Sequence, residues 1–225
     1  PRLEQELFAA SDFVRLAGEW FPKLLLIPIS EGHLNLAEAI LDMSSGGPLA
    51  TPDFLQVLDL SGETNSHLQE FSLNYYLQED SRFDEVGPTG QVLWFLRRLA
   101  PKEVLDTCER LIYKPVDFDA ELFSPELLDL ARLIDDEWDV ERLDDDPSVS
   151  TMATDVYVSY PHVVAGTLPL NSALLPFFPT ADVSPRIRIE LVDPSSGERL
   201  TGWVVRNERY VYGLKPWYDK HNMIA

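Results

Sequence analysis

Residues 71–98 read FSLNYYLQEDSRFDEVGPTGQVLWFLRR, a helix-forming stretch joined directly to two extended runs. Its helical half, taken with Leu68, assigns Leu68, Phe71, Leu73, Tyr75, Tyr76 and Leu77 to one apolar sector. The runs 82–86 and 91–96 then flank Gly87-Pro88-Thr89-Gly90, a turn sequence, so a hairpin follows the helix. The rest of the chain is read outward from this unit.

Upstream, Leu34, Ala37, Ile40 and Leu41 form a one-sided stripe that predicts a helix over 33–43, stopped by Gly46-Gly47-Pro48. Thr51-Pro52-Asp53 supplies a cap, a first-turn proline and an acid for a second helix faced by Phe54, Leu55 and Leu58. Asn65 or Ser66 caps a third, with Gln69 placed as a capping-box partner. Residues 2–20 carry apolar groups at roughly helical spacing and predict one helix or two short ones. Residues 24–29 read as a buried extended segment closed by Pro28.

A helix–turn–helix spacing, a third helix and a hairpin make a winged-helix domain. Within 31–98 the sequence Asp80-Ser81-Arg82-Phe83-Asp84-Glu85-Val86-Gly87, followed by Trp94, resembles the HARE-HTH family of winged-helix domains, and Gly47-Pro48-Leu49 matches that family's turn into its second helix. The resemblance implies that the third helix reads DNA. Charge points elsewhere: from Glu63 to Asp80 there is no Lys or Arg, and Glu70, Glu79 and Asp80 would meet phosphates that repel them. The expectation is therefore structural or protein-binding use of this helix, with Arg82, Arg97 and Arg98 in surface ion pairs and Trp94 and Phe95 in the hairpin core.

Downstream, 101–105 predicts a short helix and Ser124-Pro125-Glu126 opens a longer one that packs back on the winged domain. The acids Asp135, Asp136, Glu137, Asp139 and Asp144 to Asp146, ended by Pro147, read as a solvated linker rather than a cation site, since they lack calcium-loop spacing. Beyond it the period changes. Val156-Tyr157-Val158, His162-Val163-Val164, Ile187-Arg188-Ile189, Trp203-Val204-Val205 and Tyr210-Val211-Tyr212 predict five or six strands, with short helices at 171–178 and 216–221.

This succession, with 169–179, the turn from Asp193 to Gly197, Arg209-Tyr210 and Gly213 to Trp217, resembles the DNA-binding pseudobarrel of plant transcription factors and some restriction-endonuclease effector domains. That family continues with a Gly-Asp pair that is absent here. The fold expectation is α+β: a mainly helical winged-helix domain over 1–147, then a small β-barrel-like domain over 148–225.

Charge divides along the same line. Residues 1–154 hold 11 Lys and Arg against 31 Asp and Glu, a net of −20, whereas 155–225 hold 7 of each. The acidic part repels nucleic acid and anionic membrane at long range. Within 186–209, Arg186, Arg188, Arg199, Arg206 and Arg209 cluster, Arg186 and Arg188 on one strand face, and with Lys215 they form the candidate nucleic-acid-binding set. Their alternative is a solvated sheet face balanced by Glu190, Glu198 and Glu208. Trp203, Tyr210, Tyr212, Trp217 and Tyr218 read first as core and second as a stacking platform.

No catalytic constellation emerges. His33, His67, His162 and His221 lack metal-ligand spacing, Cys108 lacks a nucleophile's signature, and Ser44-Ser45-Gly46-Gly47-Pro48 lacks the lysine of a phosphate loop. The expectation is no enzyme, no cofactor and no metal. One cysteine and no apolar run of membrane length predict a cytoplasmic protein without membrane contact. A start at Pro1 reads as a piece of a longer chain, with room for a catalytic domain outside it. The functional expectation is a DNA-associated regulatory or accessory protein that touches DNA through 155–225 and a protein partner through 1–147. The alternatives are a purely protein-binding module and the non-catalytic portion of a restriction-type nuclease.

Overall fold

The structure is a computed structural model that describes residues 12–16, 19–60, 65–112, 114, 117, 119, 122–135, 156–171, 173–181 and 184–223. Strand β1 (Phe13–Leu16) pairs antiparallel with β2 (Glu19–Pro22), Val14 opposite Phe21 and Arg15 opposite Trp20. This corrects the helix expected over 2–20 in its described part; residues 2–11 lie outside the described ones. Phe13, Val14, Trp20 and Phe21 are strand-favouring types, and the Arg15 guanidinium sits 5.8 Å from the Trp20 ring centre as a cross-strand pair. A 3-10 turn at Lys23–Leu25 leaves Leu24 exposed, so the extended segment expected to be buried over 24–29 is buried only at Ile29.

Helix α1 (Glu31–Met43) starts on a reciprocal cap. The Ser30 hydroxyl accepts from the His33 N–H at 3.3 Å, and His33 Nδ1 accepts from the Ser30 N–H at 3.2 Å. Ala37 and Leu41 are fully buried. After α1, Gly47 has φ of 106°, and a Cβ there would stand 2.6 Å from the Trp94 carbonyl oxygen, so only glycine fits. Strand β3 (Leu49–Ala50) leads into α2 (Thr51–Leu55), where Ala50 takes the cap position expected of Thr51: its N–H donates to Asp53 Oδ2 at 3.1 Å, while the Thr51 hydroxyl donates to Asn74.

Helix α3 (Ser66–Glu79) is capped by Asn65, which accepts from the His67 N–H at 2.9 Å. Gln69 is not its capping partner; its amide donates to the Leu60 carbonyl at 3.1 Å. Strands β4 (Phe83–Glu85) and β5 (Leu93–Leu96) form the hairpin, Asp84 opposite Phe95, and β3 pairs with the other edge of β5 to give the order β3-β5-β4. Trp94, Phe95 and Leu96 are all buried, so this central strand is covered on both faces. The core gathers Ala37, Leu41, Phe54, Leu73, Leu77 and Trp94 from α1, α2, α3 and β5.

Later elements are α4 (Lys102–Leu105), α5 (Pro125–Asp135), α6 (Tyr160–Ala165), β6 (Thr167–Pro169), β7 (Arg186–Val192), β8 (Arg199–Val205), β9 (Tyr210–Tyr212) and α7 (Lys215–Lys220). The four strands form a sheet in the open order β6-β9-β8-β7. Two expected strands are corrected. Residues 156–158 are irregular, and His162-Val163-Val164 lie in α6, which has Pro161 in its first turn and ends on left-handed Gly166. The helix expected over 171–178 is a single 3-10 turn at Leu175–Phe177. Trp203, Tyr210 and Tyr218 are buried as expected of core, and the Tyr218 hydroxyl donates to the Thr167 carbonyl at 2.8 Å.

The described residues thus make an α+β chain with seven α-helices and three small antiparallel sheets. They gather into two compact units, Pro1–Ala100 with Thr180–Ile187, and Pro101–Pro179 with Arg188–Ala225. The expected boundary at 147 and the acidic linker from residue 136 on lie outside the described residues, while Asp135, read as the start of that linker, ends α5. Among the described residues no helix is long and apolar enough to cross a membrane.

Candidate nucleic-acid interface and docking surface

Helix α3 is the element that would read a base edge, so its two sides matter. At about 100° per residue, Tyr75 stands roughly 200° and Phe71 roughly 160° around the helix from Leu73, within about 40° of each other. The single apolar sector expected from the sequence is therefore two opposed ones. Leu73 and Leu77 enter the core. Phe71 stacks against Phe21 with ring centres 4.8 Å apart, the Lys23 ammonium lies 5.7 Å from the Tyr75 ring centre, and the Ser72 hydroxyl accepts from the Ile27 N–H at 2.9 Å. The outer face of α3 is partly covered by the chain's own first hairpin and the turn after it, leaving Phe71 and Tyr75 half-buried.

Two of the cations beside the β4–β5 hairpin, Arg82 and Arg98, are held by carboxylates. Arg82 bonds Asp80 at 2.6 Å and Glu38 at 2.9 Å, and its Nη1 donates to Asn35 at 2.7 Å. Asp80 and then Glu38 raise the Arg82 pKa, while the Arg82 hydrogen bond lowers that of Asp80. Arg98 bonds Asp42 at 2.6 Å, which raises its pKa in turn. Arg82 and Arg98 thus lie in the surface ion pairs expected of them, whereas Arg97 forms none among the described residues.

Of the six residues proposed for nucleic acid, Arg186 belongs to the first unit and the other five to the second. Arg186 bonds Asp84 at 2.7 Å, both side chains less than one-fifth exposed. Around it, Ser184 bonds the carbonyls of Glu85 and Arg186, and the Thr89 N–H donates to the Thr180 carbonyl at 2.7 Å. Arg188, two residues on, is half-buried, and desolvation lowers its pKa.

Arg199 is exposed and bonds Glu190 at 2.5 Å; Arg206 Nη1 donates to the Pro179 carbonyl at 3.2 Å. Arg209 is half-buried with φ of 56° in the turn between β8 and β9, and Lys215 bonds Asp219 at 2.6 Å one turn along α7. Arg199 opens the seven-residue β8 and Arg206 follows its end, so they stand about 20 Å apart along the strand. The set does not converge on one point of the sheet.

Sequence reasoning passed over Lys220, which bonds Glu198 at 2.7 Å and lies 3.5 Å from Asp193. It also passed over Asn74, a buried polar residue within a run of apolar ones. On α5, Leu127 and Leu130 are each 49% exposed, and Leu122 just before the helix is 82% exposed. Glu126 and Asp129 lie on one side of them, so α5 shows exposed leucines with acid along one edge. Among the described residues no group of three His, Cys, Asp or Glu is placed to hold a metal ion. No family model, curated protein or solved structure matches the chain.

Proposed function

We propose that this chain is a non-catalytic regulatory or accessory protein of a DNA-associated assembly, and that its acidic part works by docking another protein. The observation that carries the reading is α3, packed on the core by Leu73 and Leu77 and covered outside at Phe71 and Tyr75. The succession α1-β3-α2-α3-β4-β5, with sheet order β3-β5-β4, supports a winged-helix reading of 31–98. In such a domain the third helix enters the major groove and offers polar side chains to base edges. A helix partly covered by its own chain, and free of Lys and Arg, is poorly suited to that use.

Docking has a visible candidate in α5. Its leucines, bordered by Glu126 and Asp129, suit a partner helix whose apolar stripe is flanked by Lys and Arg. For 155–225 the barrel-like reading rests on the succession of elements, and the described sheet contributes four strands in open order. Direct DNA contact by this part is a second reading, favoured by the exposure of Arg199, at 72% of its side chain, and by the absence of net charge there.

The test uses the whole chain, a fluorescent duplex and a fluorescent amphipathic Lys/Leu helix. The expected result is saturable binding of the peptide, weakened by the substitutions L127K and L130K, and no duplex binding at about 150 mM salt. Duplex binding that weakens steeply with salt, and is lost in R199E, would replace docking with the second reading.

A further inference from the structure

The first unit holds a cleft of about 370 Å³ between the start of α2, one side of α3 and the run into β5, lined among others by Thr51, Pro52, Glu70, Asn74, Gln91 and Val92. Asn74 is only 8% exposed, and its Oδ1 accepts both from Trp94 Nε1 at 2.9 Å and from the Thr51 hydroxyl. An indole N–H can only donate, so the amide oxygen must face Trp94 and the amide nitrogen must face away. Among the described residues that nitrogen has no hydrogen-bond partner, and it keeps some contact with solvent, which leaves its N–H groups available at the cleft that Asn74 lines.

Glu70 lies one turn earlier on α3, with about 5–6 Å between Cβ atoms at that spacing. Glu70 lines the same cleft, and no side chain among the described residues bonds its carboxylate. A buried, fixed donor and an unengaged carboxylate therefore stand side by side, with Pro52 and Val92 as apolar walls.

We infer that this cleft binds a guanine-type base, presented as a free base or nucleoside. The lactam carbonyl accepts from Asn74 Nδ2, while the adjacent ring N–H and amino group donate to Glu70; the ring faces pack on Pro52 and Val92. An adenine edge offers an amino donor where Asn74 needs an acceptor. The net charge of −20 disfavours phosphorylated forms, so the nucleoside is preferred to its nucleotide. The volume lies within the range of about 300–1,000 Å³ usual for small-ligand sites.

Isothermal titration of the whole chain with guanosine, inosine, adenosine and guanosine monophosphate tests this. Guanosine is expected to bind, inosine about tenfold more weakly for want of the amino donor, the monophosphate more weakly than guanosine, and adenosine not at all. E70A is expected to abolish guanosine binding while leaving the thermal unfolding midpoint close to the parent's, because no side chain among the described residues bonds Glu70. N74D, which keeps the acceptor for Trp94 and removes the donor, is expected to do the same to binding. No heat from guanosine, equal affinity for adenosine, tighter binding of the monophosphate, or unchanged affinity in a folded E70A would each overturn the assignment.

Discussion

The Arg186 guanidinium faces Asp84 across 2.7 Å, and the two residues are 102 positions apart in the chain. The sequence showed a cation on a strand; it held no sign of its partner, because a pairing across that separation leaves no local pattern. With both side chains largely out of water, removing one leaves the other charge poorly solvated. R186D is expected to lower stability by about 2–3 kcal/mol, and the swap D84R/R186D to regain roughly half of that, read from urea midpoints. An R186D variant as stable as the parent would mean that the pair is solvated.

Asp193 carries a pH dependence of its own. Its carboxylate accepts from the Ser195 N–H at 2.8 Å and from the hydroxyls of Ser195 and Ser196 at 2.7 Å each, which holds its pKa well below the usual carboxylate range. A folded value below the unfolded 3.8 means a contribution present above that pH and lost as the pH falls through it towards the folded value. D193N is therefore expected to lower the urea midpoint at about pH 7, with the gap to the parent narrowing below about pH 4. A gap independent of pH would assign the effect to turn geometry instead.

Among elements, those set by local chemistry were legible and those set by packing were not. The start of helix α3 is legible in Asn65, which caps it, and the β4–β5 hairpin in the turn sequence Gly87-Pro88-Thr89-Gly90, where a Cβ on Gly87 would stand 2.0 Å from the Gln91 carbonyl oxygen. Helix α6, six residues long, was too short to show a period, and its paired valines looked like a strand. The β1–β2 hairpin was missed because four-residue strands with mixed faces also fit helical spacing. Its consequence, the covering of α3, was invisible for the same reason, although Leu73 and Tyr75 at 200° already excluded one sector. If Phe21 and Phe71 hold this cover in place, F21A and F71A should each cost about 1–3 kcal/mol, with a coupling of about 0.5–1.5 kcal/mol in the double-mutant cycle. Additive losses in chemical denaturation would show that the rings meet without mutual stabilisation.

For the whole molecule, composition marks a change of character near 145–155, and residues 136–155 lie outside the described ones. Compactness follows contacts that composition does not encode: nothing in residues 180–187 announces that Thr180, Ser184 and Arg186 bond Thr89, Glu85 and Asp84. Net charge, by contrast, is fully legible and has a consequence for the entire fold. An excess of 20 negative charges repels itself in any compact state, and at low salt the Debye length of about 30 Å lets acids across a whole unit feel one another. The pairs that oppose this, at Arg82, Arg98, Arg199, Lys215 and Lys220, are largely at the surface, where each contributes about 0–1 kcal/mol and is itself weakened by salt. Repulsion therefore outweighs pairing, and the thermal midpoint is expected to rise as sodium chloride goes from about 10 mM to about 300 mM, most steeply at the low end where screening changes fastest. The same rise in guanidinium-free potassium chloride separates screening from any sodium-specific effect. A midpoint that falls over this range would mean that the ion pairs, rather than the excess acid, govern how this chain responds to its ionic surroundings.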